Sequence, residues 1–250
     1  MWNLKTLSLF ALSCILGFAL AGCRRSGSAE RPEFSVWPVP AGETPTVNAA
    51  FWKQLPAYEL GKVDGYVKRN PVKVRFAYNS EALYFRFDAV DDDLVDESPA
   101  KLERSGLFLY ADTVELFLRP VKSHGYWEFH FSASGKNGAI FFPSRGRRMP
   151  SNVYYLPMDG LEFHRTLFGT LNDMRDKDKG WVGIARIPYA GIAGRCPLFR
   201  SGAPLEVQVT SIAYSVYADA DERTQLHHTS GCDRDPHYLP DWGILRFLPR

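Results

Sequence analysis

The chain has 250 residues, a formal net charge of +2, and 12 Tyr, 17 Phe and 6 Trp that make aromatics 14% of it. That length suits one large β domain whose core needs no metal or dense disulfide framework. A nearly balanced charge with no long basic run excludes nucleic acid as a partner class.

Met1–Cys23 has the pattern of a targeting segment, with Lys5 in a polar start, the apolar run Leu7–Leu20, and the small residues Ala21 and Gly22 before Cys23. The run is too short and poorly flanked for a membrane span. Leu20-Ala21-Gly22-Cys23 resembles the lipobox of bacterial lipoproteins, which implies cleavage before Cys23, lipid on that residue and anchoring at the cell envelope. Arg24 after the cysteine resembles the pattern that permits transfer to an outer membrane. Residues 24–33 are small and polar and read as a flexible tether, leaving 34–250 as the folded domain.

Phe34–Pro45 is Pro-rich and reads as extended, and Asn48–Leu55 as a short helical turn burying Trp52. From Val72 onward, strands dominate. Val72–Tyr78 and Leu83–Val90 alternate apolar and polar residues around a turn at Asn79–Ala82, which predicts a hairpin. The loop that follows carries Asp91, Asp92, Asp93, Asp96 and Glu97. With Asp88, the residues Asp91, Asp92 and Asp93 are the candidate ligands for Ca2+, which takes about six to eight oxygens, although the spacing is not that of an EF-hand.

Asp112–Ser134 predicts a second hairpin. Val114, Leu116 and Leu118 share one face, as do Trp127, Phe129 and Phe131, so Trp127 reads as core. The other face carries Glu115, Tyr126, Glu128, His130 and Ser132, more hydrogen-bonding chemistry than an inert sheet surface needs. Those five, with Arg86 and Tyr110, are the candidate ligand-binding residues. Glu115 and Glu128 could alternatively form the carboxylate pair of a glycosidase.

Further strands are predicted at Ala139–Phe142, Leu161–Phe168, Trp181–Ile187, Leu205–Tyr217 and Ile244–Leu248. About ten short strands with Gly and Pro between them predict an all-β fold, an antiparallel β-sandwich of jelly-roll or DOMON-like kind with few short helices. His227, His228, Cys232, Asp235 and His237 are zinc-type ligands without a zinc signature. With Cys14 in the targeting segment and Cys23 lipidated, Cys196 and Cys232 remain as a candidate disulfide in an oxidising compartment.

In this order, Val74–Tyr78, Leu83-Tyr84-Phe85, Asp91-Asp92-Asp93, the Asp112-Thr-Val-Glu-Leu-Phe-Leu-Arg-Pro120 run, Tyr126-Trp-Glu-Phe-His-Phe-Ser132, Asp176–Trp181, Ile187-Pro188 and His237–Gly243 resemble the family 9 carbohydrate-binding modules and their stand-alone relatives. The resemblance implies a DOMON-like β-sandwich that holds a sugar ring between aromatic side chains without cleaving it. Glu115 matches a sugar-contacting Glu of that family, and His130 and Ser132 fall where members commonly carry Arg and Asn. The clamping Trp before the Asp-x-Val-Glu motif is replaced by Leu109-Tyr110, and a second has no counterpart near Asp233–Asp235. The expected partners are a glycan or oligosaccharide, the membrane through the lipid anchor, and envelope glycoside hydrolases that act on the captured polysaccharide. An assembly lipoprotein that binds protein is the alternative, and a haem-binding DOMON relative would need a Met paired with His or Lys that does not stand out here.

Overall fold

The computed structural model describes residues 31–62, 71–99, 107–145, 158–215, 225–230 and 235–250. Residues 31–250 form one compact unit. Its strands are β1 (Glu33–Pro38), β2 (Tyr58–Glu59), β3 (Gly61–Lys62), β4 (Val72–Tyr78), β5 (Ala82–Ala89), β6 (Thr113–Pro120) and β7 (Tyr126–Ser132), followed by β8 (Asn137–Phe142), β9 (Glu162–Leu167), β10 (Trp181–Pro188), β11 (Leu205–Tyr214), β12 (Gln225–Thr229) and β13 (Gly243–Phe247). A single short helix, α1 (Tyr189–Arg195), and 3-10 turns at Ala50–Gln54, Leu107–Leu109 and Leu239–Asp241 complete the described elements.

The strands run in the order β8-β7-β6-β11-β13-β1-β4-β5-β10-β9, with β12 paired to β11 and β3, and β2 to β4. The sheet curls until its halves face each other as a sandwich. Phe131 of β7 lies 6.1 Å from Phe85, 6.4 Å from Phe87 and 4.9 Å from Phe163, rings supplied by the opposite half. Both predicted hairpins are present, Val74 facing Phe87 and Glu115 facing His130.

One strand departs from the antiparallel expectation: β1 runs parallel to both β4 and β13. Parallel neighbours need a crossover rather than a tight turn. The segment from Val39 to Pro71 supplies it on one side, and on the other β1 pairs with the last strand of the chain. β1 therefore links the β8-β7-β6-β11-β13 run of strands to the β4-β5-β10-β9 run.

The parity read from sequence decides what is core. Val114, Leu116, Leu118, Trp127, Phe129 and Phe131 are all buried in the main cluster with Leu83, Phe85 and Phe87. Gly183 faces Phe87, whose ring would stand 2.1 Å from an added Cβ, so the glycine makes room for an aromatic that spans the layers. Trp52 is buried outside the main core, in a small cluster with Phe51, Tyr84 and Ile184, and its indole donates to the Thr46 carbonyl at 3.0 Å. Trp181 and Trp242 are also buried.

Gly180 opens β10 with φ +118°, and an added Cβ would meet the Ala89 carbonyl oxygen at 2.0 Å. Backbone cannot swing aside as a side chain can. Gly180→Ala is expected to cost about 2–4 kcal/mol, combining a left-handed strain with overpacking, measured as a lowered denaturation midpoint. A midpoint equal to that of the parent protein would contradict this packing.

Candidate functional site

The register of three neighbouring strands assembles the polar face. Glu115 of β6 stands opposite His130 of β7 on one side and Thr210 of β11 on the other, and Thr210 faces Thr229 of β12. One residue row along, Phe117 stands between Glu128 and Gln208. Because Val114 and Leu116 point into the core, Glu115 must point away from it.

This face is not open to solvent. Glu115 and Glu128 are each 5% exposed and His130 1%. Phe108, in the turn before β6, lies edge-on to His130 with ring centroids 6.1 Å apart, and Phe117, Tyr126, Ile140, Phe142 and Trp242 close one end as a separate apolar cluster. Polar groups placed there must find partners within the protein.

They do so in a tight group. His130 Nε2 is 2.5 Å from Glu128 Oε1 and 3.6 Å from Glu115 Oε1, while Thr210 donates its hydroxyl to Glu115 Oε2 at 2.8 Å. Two buried atoms of the group have no hydrogen-bond partner, His130 Nδ1 and Glu128 Oε2. Burial pushes the Glu115 carboxyl up to about 7, opposed by His130 and reinforced by Glu128. Burial acts against a charged imidazole at His130, yet Glu115 and Glu128 outweigh it and hold its pKa above 6.5.

His237 joins this group, which its place among the zinc-type residues did not reveal. Its Nδ1 is 2.7 Å from the Tyr126 hydroxyl and its Nε2 is 3.8 Å from Glu128 Oε2. Asp235, only two residues earlier, instead pairs with Arg145 at 2.6 Å, so the expected histidine-aspartate cluster divides; Cys232 and the side chains of His227 and His228 lie outside the described residues. Thr210, Gln208 and Thr229 were also missed as site residues. The signal was available in Glu206-Gln208-Thr210 alternating with Leu205-Val207-Val209.

Ser132 shares the face but bonds Ser134 at 3.0 Å and the Asp96 carboxylate rather than Glu115 or Glu128. Tyr110 is 43% exposed, just past the Leu107–Leu109 turn. Arg86 is a correction: with inward Phe85 and Phe87 on either side it projects outward from β5, in the other half of the sandwich, where it binds Asp88 at 2.6 Å and lies 5.9 Å over the Trp52 ring. Asp88, expected with the acidic loop, stands instead on β5 where Arg75 and Arg86 both engage it at 2.6 Å.

The rest of that loop is fastened internally. Asp91 Oδ1 accepts from the Asp93 amide, Asp178 accepts from Leu94 and Thr170, and Asp112 accepts from Val95 and Tyr214. Asp92 takes the Ser215 hydroxyl at 3.1 Å, with Lys177 at 3.5 Å. Burial raises the Asp91 and Asp112 carboxyls well above the usual range, neighbouring carboxylates adding to it. Oxygens committed to backbone amides fit a loop staple better than a Ca2+ cage. Cys196 is a buried thiol, raised to about 11 chiefly by burial. A separate open cleft of about 610 Å³ lies on the outer face of β5, β10 and β9, lined by Val47, Tyr84, Glu162, His164, Ile184 and Arg186.

No protein-family model matches the sequence, nor does any curated protein. Solved structures do match in fold. A family 9 carbohydrate-binding module from Caldicellulosiruptor kristjanssonii in complex with cellotriose superposes with TM-score 0.57 at 12% identity, over 88% of this chain and 95% of that one. A family 9 carbohydrate-binding module from the same organism in complex with glucose gives TM-score 0.54 at 13% identity, over 88% of this chain and 97% of that one. A candidate carbohydrate-binding protein from Bacteroides uniformis ATCC 8492 gives TM-score 0.61 at 15% identity, over 86% and 99%. The chain thus has the β-sandwich fold of the family 9 carbohydrate-binding modules.

The buried acid sets a pH dependence. The unfolded chain releases the Glu115 proton near 4.5 and the folded chain near 7, so between these values the folded state binds more protons and stability falls as pH rises. His130, with its pKa raised above 6.5, extends the loss upward. The Glu115 share is at most about 3 kcal/mol. The melting temperature should fall from pH 5 to pH 8, and Glu115→Gln should flatten that slope; an equal slope in both proteins would contradict the assignment.

Proposed function

We propose that the chain binds a carbohydrate, without cleaving it, through the face formed by β7, β6 and β11, and that lipid on Cys23 holds it at a bacterial envelope, in the outer membrane, to capture polysaccharide for partner hydrolases. The observation that carries the binding reading is the Glu115–Glu128–His130 group with its two unpartnered buried atoms, His130 Nδ1 and Glu128 Oε2. A buried polar atom left unpaired costs about 1–3 kcal/mol, and the hydroxyls of a sugar supply both donors and acceptors. Exposed Tyr110 offers a flat platform in place of the absent clamping tryptophans, and Tyr238, with Arg145 4.8 Å over one face of its ring, offers the other.

Burial of the three residues means that a hydroxyl reaches them only as the side chains above, Phe108 and His237 among them, give way. Cleavage is disfavoured by the same geometry. A glycosidase needs its scissile bond between two carboxyls, and here the His130 imidazole fills that space, in contact with Glu128 and 3.6 Å from Glu115. The fold matches include modules solved with cellotriose and with glucose, which makes β-glucans the first probes.

A second reading, an assembly lipoprotein that binds protein, is favoured by the near-complete burial of Glu115, Glu128 and His130. The soluble chain from Arg24 onward separates the two on a broad glycan array, run with and without Ca2+. Glycan binding weakened about 10- to 100-fold by Glu128→Gln and by His130→Gln, as expected for lost hydrogen bonds to charged groups, supports the sugar reading. Undiminished binding in both variants moves the site to the outer cleft, and silence from a folded protein alongside a co-purifying envelope protein supports the assembly reading.

The anchor has its own test. Metabolic labelling with a fatty acid should mark the full-length protein and not its Cys23→Ser variant, which should leave the membrane fraction. Identical labelling and fractionation of the two would rule the anchor out.

A further inference from the structure

We propose that Glu115, Glu128 and His130 form a site for a divalent transition-metal ion of the zinc type. Among the described residues, this is the one group of three or more carboxylate, imidazole or thiol side chains whose ligand atoms all lie within 4.8 Å of one another. One imidazole and two carboxylates form a mixed nitrogen and oxygen set that suits Zn2+ and its first-row neighbours, whereas Ca2+ prefers oxygen alone. The inference goes beyond the carbohydrate reading and does not depend on it.

The distances are near those required. Ligand atoms about 2.0–2.2 Å from a tetrahedral ion stand roughly 3.3–3.6 Å apart, and His130 Nε2 is 3.6 Å from Glu115 Oε1. Glu128 Oε1, at 2.5 Å from Nε2, sits where a shared proton rather than an ion would hold it. Glu128 Oε2 is buried and without a hydrogen-bond partner, so a turn of the carboxylate presents it to an ion without breaking a hydrogen bond of that oxygen, changing only its 3.8 Å approach to His237 Nε2. The ion takes the place of the proton that draws the groups together.

A second imidazole stands beside the three, outside their 4.8 Å group. His237 Nε2 lies 3.8 Å from Glu128 Oε2, and its Nδ1 is 2.7 Å from the Tyr126 hydroxyl. When Nδ1–H donates to the phenol oxygen, the lone pair falls on Nε2, facing the site, as outer hydrogen bonds commonly arrange for metal-bound histidines. Glu115, Glu128 and His130 stand on two directly paired strands, which fixes their backbones in advance.

The experiment uses the chelator-treated soluble chain from Arg24 onward, titrated with Zn2+ and with Co2+ alone, no glycan present. One equivalent of Zn2+ should bind, Co2+ should give a visible absorption that Zn2+ abolishes, and excess Ca2+ should not compete. Glu128→Gln and His130→Gln, each shown to be folded by circular dichroism, should weaken binding about 10-fold or more, at least the loss known for outer-shell changes. Should either variant misfold, X-ray absorption of the zinc-loaded parent protein decides, with carboxylate and imidazole neighbours expected. No stoichiometric binding, an affinity unchanged in both variants, or a thiolate or all-oxygen shell overturns the proposal.

Discussion

The register between β6 and β7 is the constraint on which the rest of this structure depends. It sets Val114 against Phe131 and Leu116 against Phe129 on the core side, and thereby Glu115 against His130 on the other. Strand periodicity allows no compromise, because a shift of one residue would bury the acids in the core and turn the aromatics out. The apolar faces of β6 and β7 are completed by β11 and by Phe85 and Phe87 across the sandwich. Packing therefore fixes where the polar side chains stand, and the chemistry of the polar face is inherited from the core.

What distinguishes this face from an ordinary solvated sheet surface is its second layer of cover. Glu115, Glu128 and His130 are buried on a side of the sheet that usually meets water, so solvent cannot balance their charges. Contacts within the group do so instead, His130 meeting both carboxyls and Thr210 satisfying one Glu115 oxygen. The remaining unpartnered atoms mark the place where a ligand would gain most, since interior groups left without partners bind what can supply them.

Much of this was legible in the chain. Alternation over 72–78, 83–90 and 112–134 gave the two hairpins, the core assignment of Trp127 and the grouping of Glu115, Glu128 and His130. Local alternation says nothing about partners distant in sequence, which is why the parallel seat of β1 and the approach of His237 to Tyr126 were not foreseen. Arg86 misled for a related reason. Parity correctly placed it on the polar side of its own strand, but that strand belongs to the other half of the sandwich, and its charge is met by Asp88. Asp88 itself read as part of an acidic loop because sequence shows neighbours along the chain and not Arg75 across the hairpin.

The resemblance read in the ordered motifs and the fold seen in the structure agree, although sequence identity to the matching structures is only 12–15%. Whether the buried group meets a sugar is tested most directly by nitrogen-resolved NMR of the histidine side chains during titration with cellotriose. The His130 ring nitrogens should shift and saturate together with binding, while His164 on the outer face stays unchanged. Saturable binding that leaves the His130 nitrogens unmoved would contradict a sugar contact there.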